Sequence, residues 1–312
     1  MKHQTDTLHV PVLLNEVLEH LLPEGHTVER AVDGTLGAGG HSRALLEHGV
    51  HQLLGMDVDP VALDIARENL APFGERAHIV HASYTQMADE AAKLGWDGVD
   101  AILLDLGVSS MQLDIPERGF AFRHEGPLDM RFDPQSDKPT AADLVNTLEE
   151  DELADIFYQY GEERDSRRIA RAIVRERPYR TTRDLSEVIE RAHPRRHYEK
   201  IHPATRVFQA LRIAVNDELK TVERGVNVAI DLLRSGGRLG VISFHSLEDR
   251  IVKDAFRLAS TDCICPPKTP ICVCGHQASV RLINRKPIIA NEDEAARNPR
   301  SRSAKLRIVE KL

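Results

Sequence analysis

The chain has 312 residues, 41% of them hydrophobic and 29% charged. This is the balance of a globular protein with room for one large domain or two modest ones. Aromatic residues make up only 4%, too few for the extended base-stacking platform of a single-strand binder, and no apolar run approaches the roughly 18 residues of a membrane span. Met1–Pro11 is polar, with no basic segment leading into an apolar one, so a cytoplasmic protein is expected.

Net charge is −8 but unevenly spread. Residues 1–160 carry 10 Lys and Arg against 29 Asp and Glu, whereas residues 164–212 carry 14 basic against 6 acidic side chains. Such a basic run is either a solvated helical face or a phosphate-facing patch inside an acidic protein.

In chain order, Val28–Asp33 is a predicted strand broken by the turn Gly34-Thr35-Leu36-Gly37-Ala38-Gly39-Gly40. His41–His48 follows as a helix and Leu53–Asp57 as a second strand. Asp59-Pro60 is an N-cap with proline at the first helical position, opening a helix to Leu70. Ala77–Ala82 is a third strand, Thr85–Leu94 a helix and Val99–Asp105 a fourth strand. Strands alternating with helices at this spacing predict a parallel sheet covered on both faces.

Residues 108–135 hold scattered glycines and prolines without a clear period. From Thr140 to about Glu223 the composition is helical, with Leu144, Leu148, Leu153, Ile156 and Phe157 at three- and four-residue steps. Gly236–Phe244 is a turn feeding a buried strand, and a helix over Leu247–Leu258 follows. Ser279–Pro287 and Ala304–Glu310 are late strands able to pair antiparallel at a sheet edge. The expected architecture is an α/β sheet interrupted by a helical insertion, with residues 1–112 and 216–312 forming the sheet domain and 113–215 the insertion.

Gly37, Gly39 and Gly40 follow a strand and precede a helix, where glycine lets backbone N–H groups approach a ligand closely. Neither a dinucleotide fingerprint nor a P-loop fits, because Ser42 stands at the third small position and no Gly-Lys-Ser/Thr is present. Asp33, beside the turn, disfavours a pyrophosphate and favours a cation such as a sulfonium. Asp57, 20 residues after Gly37, sits where a carboxylate accepts ribose hydroxyls. Tyr84 is placed either to pack on an adenine edge or as a core or rim ring. Asp105 ends strand four, so three carboxylates share one crevice.

The segments DGTLGAGGHS (Asp33–Ser42), DLGVSS (Asp105–Ser110), GPLDMR (Gly126–Arg131), HPATRVFQALR (His202–Arg212) and SFHSLEDR (Ser243–Arg250) together resemble the RsmH (MraW) family. The resemblance runs from about His9 to the last strand, including Asn298–Ser303. It implies a Rossmann-like methyltransferase sheet of seven strands, the last antiparallel, carrying a helical insertion. It further implies S-adenosylmethionine as cofactor and methylation of the exocyclic N4 of a cytidine in 16S ribosomal RNA, cytidine 1402 in the family, with the small ribosomal subunit as partner. Matched residue by residue, the cofactor positions implied are Gly39, Gly40, His41, Asp57, Tyr84, Asp105 and Gln112. Only the resemblance raises His41 and Gln112, which are otherwise a helix-start residue and a loop polar group.

Methyl transfer to an amine needs alignment and hydrogen-bond acceptors rather than a metal. Asp105 and Ser109, with Ser110 or nearby carbonyls, are the expected acceptors. Ring-carbon methylation needs a nucleophilic cysteine near this motif, and none precedes Cys263. The Asn/Asp-Pro-Pro-aromatic motif of many amino-methyltransferases is replaced by Asp105-Leu106-Gly107-Val108. A base-stacking ring must then come from elsewhere, with Phe120, Phe122 and Phe244 as candidates that are equally well core residues.

His245 is a candidate base or phosphate contact, or a satisfied loop histidine. Arg164, Arg167, Arg168, Arg171, Arg175 and Arg177 fall largely at helical steps, and Arg167, Arg168 and Arg171 are the expected RNA contacts. The alternatives are a methyltransferase acting on another RNA or on a DNA amine, and a non-catalytic ribosome-assembly factor. Intact glycine-loop and Asp105 motifs argue against the latter.

All four cysteines, Cys263, Cys265, Cys272 and Cys274, lie in one short window. Disulfides are not expected in a cytosolic chain. The C-x-C spacing is tighter than the usual zinc spacing, so reduced thiols are favoured and no metal ligand is assigned.

Overall fold

The computed structural model describes residues 11–194, 201–266, 269 and 271–312. In chain order the elements are α1 (Leu14–Leu21), β1 (Arg30–Asp33), α2 (Gly40–Glu47), β2 (Gln52–Asp57), α3 (Pro60–Leu70), β3 (Ala77–His81), α4 (Met87–Lys93), β4 (Val99–Asp105) and α5 (Ser110–Asp114). There follow α6 (Ala141–Thr147), α7 (Glu150–Gly161), α8 (Ser166–Arg175), α9 (Thr182–Ala192), α10 (Pro203–Asn216), α11 (Glu218–Leu232), β5 (Leu233–Ser243), α12 (Ser246–Ala259), β6 (Val280–Leu282), α13 (Glu292–Arg297) and β7 (Lys305–Lys311).

The chain forms two compact units, one comprising the residues up to Gly107 and from Lys220 on, the other Val108–Leu219. Both junctions lie a few residues from the expected 112/113 and 215/216. The reason is packing: Val108, Leu113 and Val215 already belong to the helical core, and Asn216 ties Phe132 N–H and the Met130 carbonyl at 2.8 Å each.

In the first unit the strands form one sheet of order β3-β2-β1-β4-β5-β7-β6. The first five are parallel, and β7 runs antiparallel to both β5 and β6. The seven-stranded α/β sheet with its last strand reversed is therefore present. β7 is internal, and the short β6 forms the edge.

Side chains alternate across each strand. Ala31, Leu53, Ala101 and Leu103 pack with residues of α1, α2 and α3 on one face. Val32, Leu54, Ile102 and Leu104 pack with residues of α4, α11 and α12 on the other. Burial on both faces explains why these strands are nearly continuous apolar runs. Strand order reverses between β1 and β4, so a crevice opens there beyond the carboxyl ends of the strands.

In the second unit α6–α10 surround their own core, in which Leu153, Phe157, Ile169, Ile173, Leu185, Ile189, Val207 and Leu211 are buried. No helix among the described residues is long and apolar enough to cross a membrane.

Candidate active site

The turn after β1 is shaped by carboxylates and glycines. Gly37 and Gly39 adopt φ of 51° and 82°, left-handed values that favour glycine. Gly37 N–H donates to Asp57 Oδ2 at 2.8 Å, and Asp59 N–H donates to Asp57 Oδ1 at 2.9 Å. Asp57 thus holds the glycine loop against the end of β2, and each of its oxygens keeps a second lone pair for a ligand hydroxyl. Gly40 and His41 open α2, where the first backbone N–H groups have no intrahelical acceptor.

Asp33 lies beneath the turn rather than in it. It is 1% exposed, accepting from Ser42 Oγ at 2.7 Å and from Thr35 N–H at 3.2 Å. Burial pushes its pKa up to about 6, against the lowering effect of those bonds. It therefore acts on the crevice through its field and its support of the loop.

Asp105 is the exception to this satisfaction. Thr35 Oγ1 accepts its backbone N–H at 2.6 Å, yet its carboxyl Oδ1 is buried without a hydrogen-bond partner. Oδ2 stands 3.7 Å from His41 Nδ1, and about 24% of the side chain is accessible. Desolvation, then the nearby Asp33 and Glu248 carboxylates, raise its pKa well above the ordinary carboxylate value.

His41 is 7% exposed and contacts the Val12 carbonyl through Nε2 at 2.9 Å. Burial lowers its pKa to about 4, so the ring is neutral at pH 7. With Nε2–H donating to Val12, Nδ1 is left as a lone pair facing Asp105. The Nε2 side of the ring is thus committed to Val12, and the backbone N–H remains for a ligand in the loop.

Tyr84 is half-buried against the backbone of two glycines. A Cβ built on Gly225 would stand 2.2 Å from Tyr84 Cε2, and one on Gly34 would stand 2.8 Å from Tyr84 Cβ. One side of the ring is therefore committed to α11. Gly39, Gly40, His41, Asp57, Tyr84 and Asp105 all belong to the sheet unit.

Ser109 and Gln112 belong to the helical unit and have evident local work. Ser109 Oγ accepts from Gln112 N–H at 3.2 Å, while Gln112 Oε1 accepts from Ser109 N–H at 3.0 Å. This reciprocal cap opens α5 and occupies one acceptor site of the Ser109 hydroxyl. The Ser110 side chain lies outside the described residues.

His245 also has a local role. It is the N-cap of α12, its Nδ1 accepting from Glu248 N–H at 3.4 Å and its Nε2 lying 3.1 Å from Glu248 Oε1. The side chain is 11% exposed, and Nε2 is buried without a hydrogen-bond partner.

The candidate stacking rings divide clearly. Phe120 stacks on Phe132 at 5.7 Å, and Phe122 on His202 at 4.6 Å; both belong to helical packing. Phe244 remains half-buried, beside Gly107 in the loop after Asp105, where a Gly107 Cβ would meet its ring at 3.4 Å.

Residues missed by sequence reading are Thr35, Ser42 and Glu248. Only Glu248 carried a local signal, standing three residues after the capping His245.

On α8, Arg167, Arg168, Arg171 and Arg175 are exposed while Ile169, Ala170 and Ile173 are buried. At about 100° per residue the four arginines fall within one quadrant opposite the buried stripe. Arg167 and Arg168 have no hydrogen-bond or ion-pair partner among the described residues, whereas Arg171 meets Glu150 at 3.1 Å. Arg177 is structural: it donates to the carbonyls of Val145 and Leu148. Part of the basic segment, residues 195–200, lies outside the described residues.

A seven-stranded sheet of this order, with β7 reversed and carboxylates at its switch point, is a Rossmann-like α/β fold. The family model for the MraW methylase family matches residues 6–312. A protein named ribosomal RNA small subunit methyltransferase H from Geobacter sp. strain M21 is 53% identical, covering 98% of this chain and 99% of its own length. Proteins of the same name from Geobacter sulfurreducens and Carboxydothermus hydrogenoformans are 54% and 51% identical, covering 97% of this chain in each case and 99% and 98% of their own lengths. The chain belongs to the MraW methylase family.

Proposed function

We propose that this protein methylates the exocyclic N4 of a cytidine in small-subunit ribosomal RNA, cytidine 1402 in the family numbering, using S-adenosylmethionine in the cytoplasm. The observation that carries the chemistry is Asp105, whose buried Oδ1 has no partner in a crevice where burial, and then neighbouring carboxylates, raise its pKa. Asp105 Oδ1 is thus open to an N–H donor and its raised pKa favours a cation nearby, and the reaction brings both.

The fit to the cofactor rests on the same residues. Asp57 has lone pairs left for ribose hydroxyls. The loop through Gly39, Gly40 and His41 offers backbone donors, and Tyr84 flanks it. The cofactor supplies an electrophilic methyl group on a positively charged sulfur.

The remaining work falls to the chain. The cytosine amine is a weak nucleophile because its lone pair is delocalised into the ring, so an acceptor for its N–H must be in place as nitrogen becomes positive. Asp105 Oδ1 is that acceptor, and a carboxylate of raised pKa is the stronger base. Phe244, beside Gly107, is the ring left to pack on an extruded base. The α8 arginines would hold phosphates, positioning the RNA without reading its sequence. Arg171 can exchange its exposed bond to Glu150 for a phosphate at little cost.

The test is transfer of a labelled methyl group by the purified protein to small-subunit particles, naked ribosomal RNA and DNA, followed by nucleoside mass spectrometry. N4-methylcytidine in the ribosomal samples alone is expected. Label in another nucleoside or in DNA alone would replace this reading, and absence of transfer from all three despite cofactor binding would favour a non-catalytic assembly factor.

A further inference from the structure

We infer that Cys263, Cys265, Cys272 and Cys274 form a structural zinc site that holds the excursion between α12 and β6. The four cysteines are free, and their sulfurs all lie within 4.8 Å of one another. Four edges of the tetrahedron measure 3.5 Å (263–272), 4.0 Å (265–272), 3.5 Å (272–274) and 3.8 Å (263–274). Zinc–thiolate bonds of about 2.3 Å in a tetrahedron require sulfur–sulfur edges of about 3.8 Å. The tight C-x-C spacing does not prevent this. The four sulfurs converge all the same, while Ile264 and Val273 between the paired cysteines stand 51% and 82% exposed.

The two C-x-C segments also support each other's sulfurs. Ile264 N–H donates to Cys274 Sγ and Val273 N–H to Cys265 Sγ, each at 3.4 Å. Donors aimed reciprocally at sulfur suit thiolates, which accept more strongly than thiols. His276 is occupied elsewhere, with Nε2 at 2.9 Å from the Leu258 carbonyl.

Energetics point the same way. No described residue from Ser260 to Ser279 is buried, so apolar burial contributes little to ordering this stretch. Its ends are pinned by Ser279 N–H to the Ala259 carbonyl at 2.8 Å and Ala278 N–H to Asp262 Oδ1 at 3.3 Å. Converging four side chains at its tip still costs backbone and rotamer entropy. A metal offsets that cost, as in small domains whose folding depends on zinc. Four sulfur ligands leave no open position, so the role is structural and separate from methyl transfer.

The test uses the full chain purified under reducing conditions. One zinc per chain by elemental analysis is expected to survive gel filtration, with the four thiols protected from a thiol reagent until a strong chelator is added. Cobalt(II) exchange should give the intense visible bands of tetrahedral sulfur ligation. The double variant Cys263→Ser/Cys272→Ser should lose the zinc yet keep its circular dichroism and its S-adenosylmethionine affinity. Should that variant fail to fold, the cobalt spectrum of the parent still decides. Freely reacting thiols with no retained metal, two disulfides by mass spectrometry, or iron with sulfide in place of zinc would each overturn the inference.

Discussion

Asp105 brings the local chemistry into one side chain. Burial first, and then the Asp33 and Glu248 carboxylates, raise its pKa in the ligand-free protein. A sulfonium nearby favours the charged form instead. Over the pH range in which Asp105 is protonated in the free protein, binding the cationic cofactor therefore releases a proton. S-adenosylmethionine affinity should rise with pH, by at most about tenfold per unit for one proton, and level off once Asp105 ionises unaided. The neutral thioether S-adenosylhomocysteine should show a shallower dependence. Calorimetry of both ligands across pH, in buffers of different ionisation enthalpy, measures this directly; parallel curves would mean that the carboxyl group does not sense the sulfur. Of this arrangement, Asp57 and Asp105 were legible in the sequence because each ends an apolar strand. The influence of Glu248 on Asp105 was not, since a distant segment of chain creates it.

Among the elements, local signals were the most readable. The Asp59-Pro60 cap and α3 occur as expected, with Asp59 Oδ1 accepting from Val61 N–H at 3.1 Å. The predicted helix Thr85–Leu94 divides because the Ser83–Gln86 capping box closes a 3-10 turn before α4 begins at Met87. The late strand predicted over Ser279–Pro287 shrinks to Val280–Leu282, as the Asn284 side chain takes over bonding to the Ile308 N–H and the Leu306 carbonyl. Helix α1 escaped sequence reading altogether, although Val17 and Leu21 are buried.

Two outcomes belong to this scale. Gly225→Ala in α11 gains about 1 kcal/mol of helix propensity, but its Cβ would stand 2.2 Å from a Tyr84 ring also confined by Gly34. Overpacking of about 1–3 kcal/mol should win, lowering the urea midpoint; a stabilised variant would show that the ring moves freely. On α8, replacing Arg167, Arg168 and Arg171 by Gln should weaken RNA binding and reduce the salt slope by roughly 0.7–0.9 for each phosphate no longer neutralised. Cofactor affinity should hold, since the loop and Asp57 belong to the other unit. An unchanged salt slope would return the stripe to plain solvated surface.

At the scale of the whole molecule, sheet and helices divide the proposed work. The first unit concentrates acidic side chains at a switch point, and the second carries the exposed arginines. The caps formed by Ser109 with Gln112 and by His245 with Glu248 were harder to foresee, because the same residue types serve both helix ends and active sites. The decisive measurement is mass spectrometry of small-subunit ribosomal RNA from cells lacking this protein, complemented with the parent chain or with Asp105→Ala. The expected result is one N4-methylated cytidine lost on deletion, restored by the parent and not by Asp105→Ala despite equal protein levels. Full methylation in the deleted cells, or restoration by Asp105→Ala, would contradict the assignment of the reaction to this crevice.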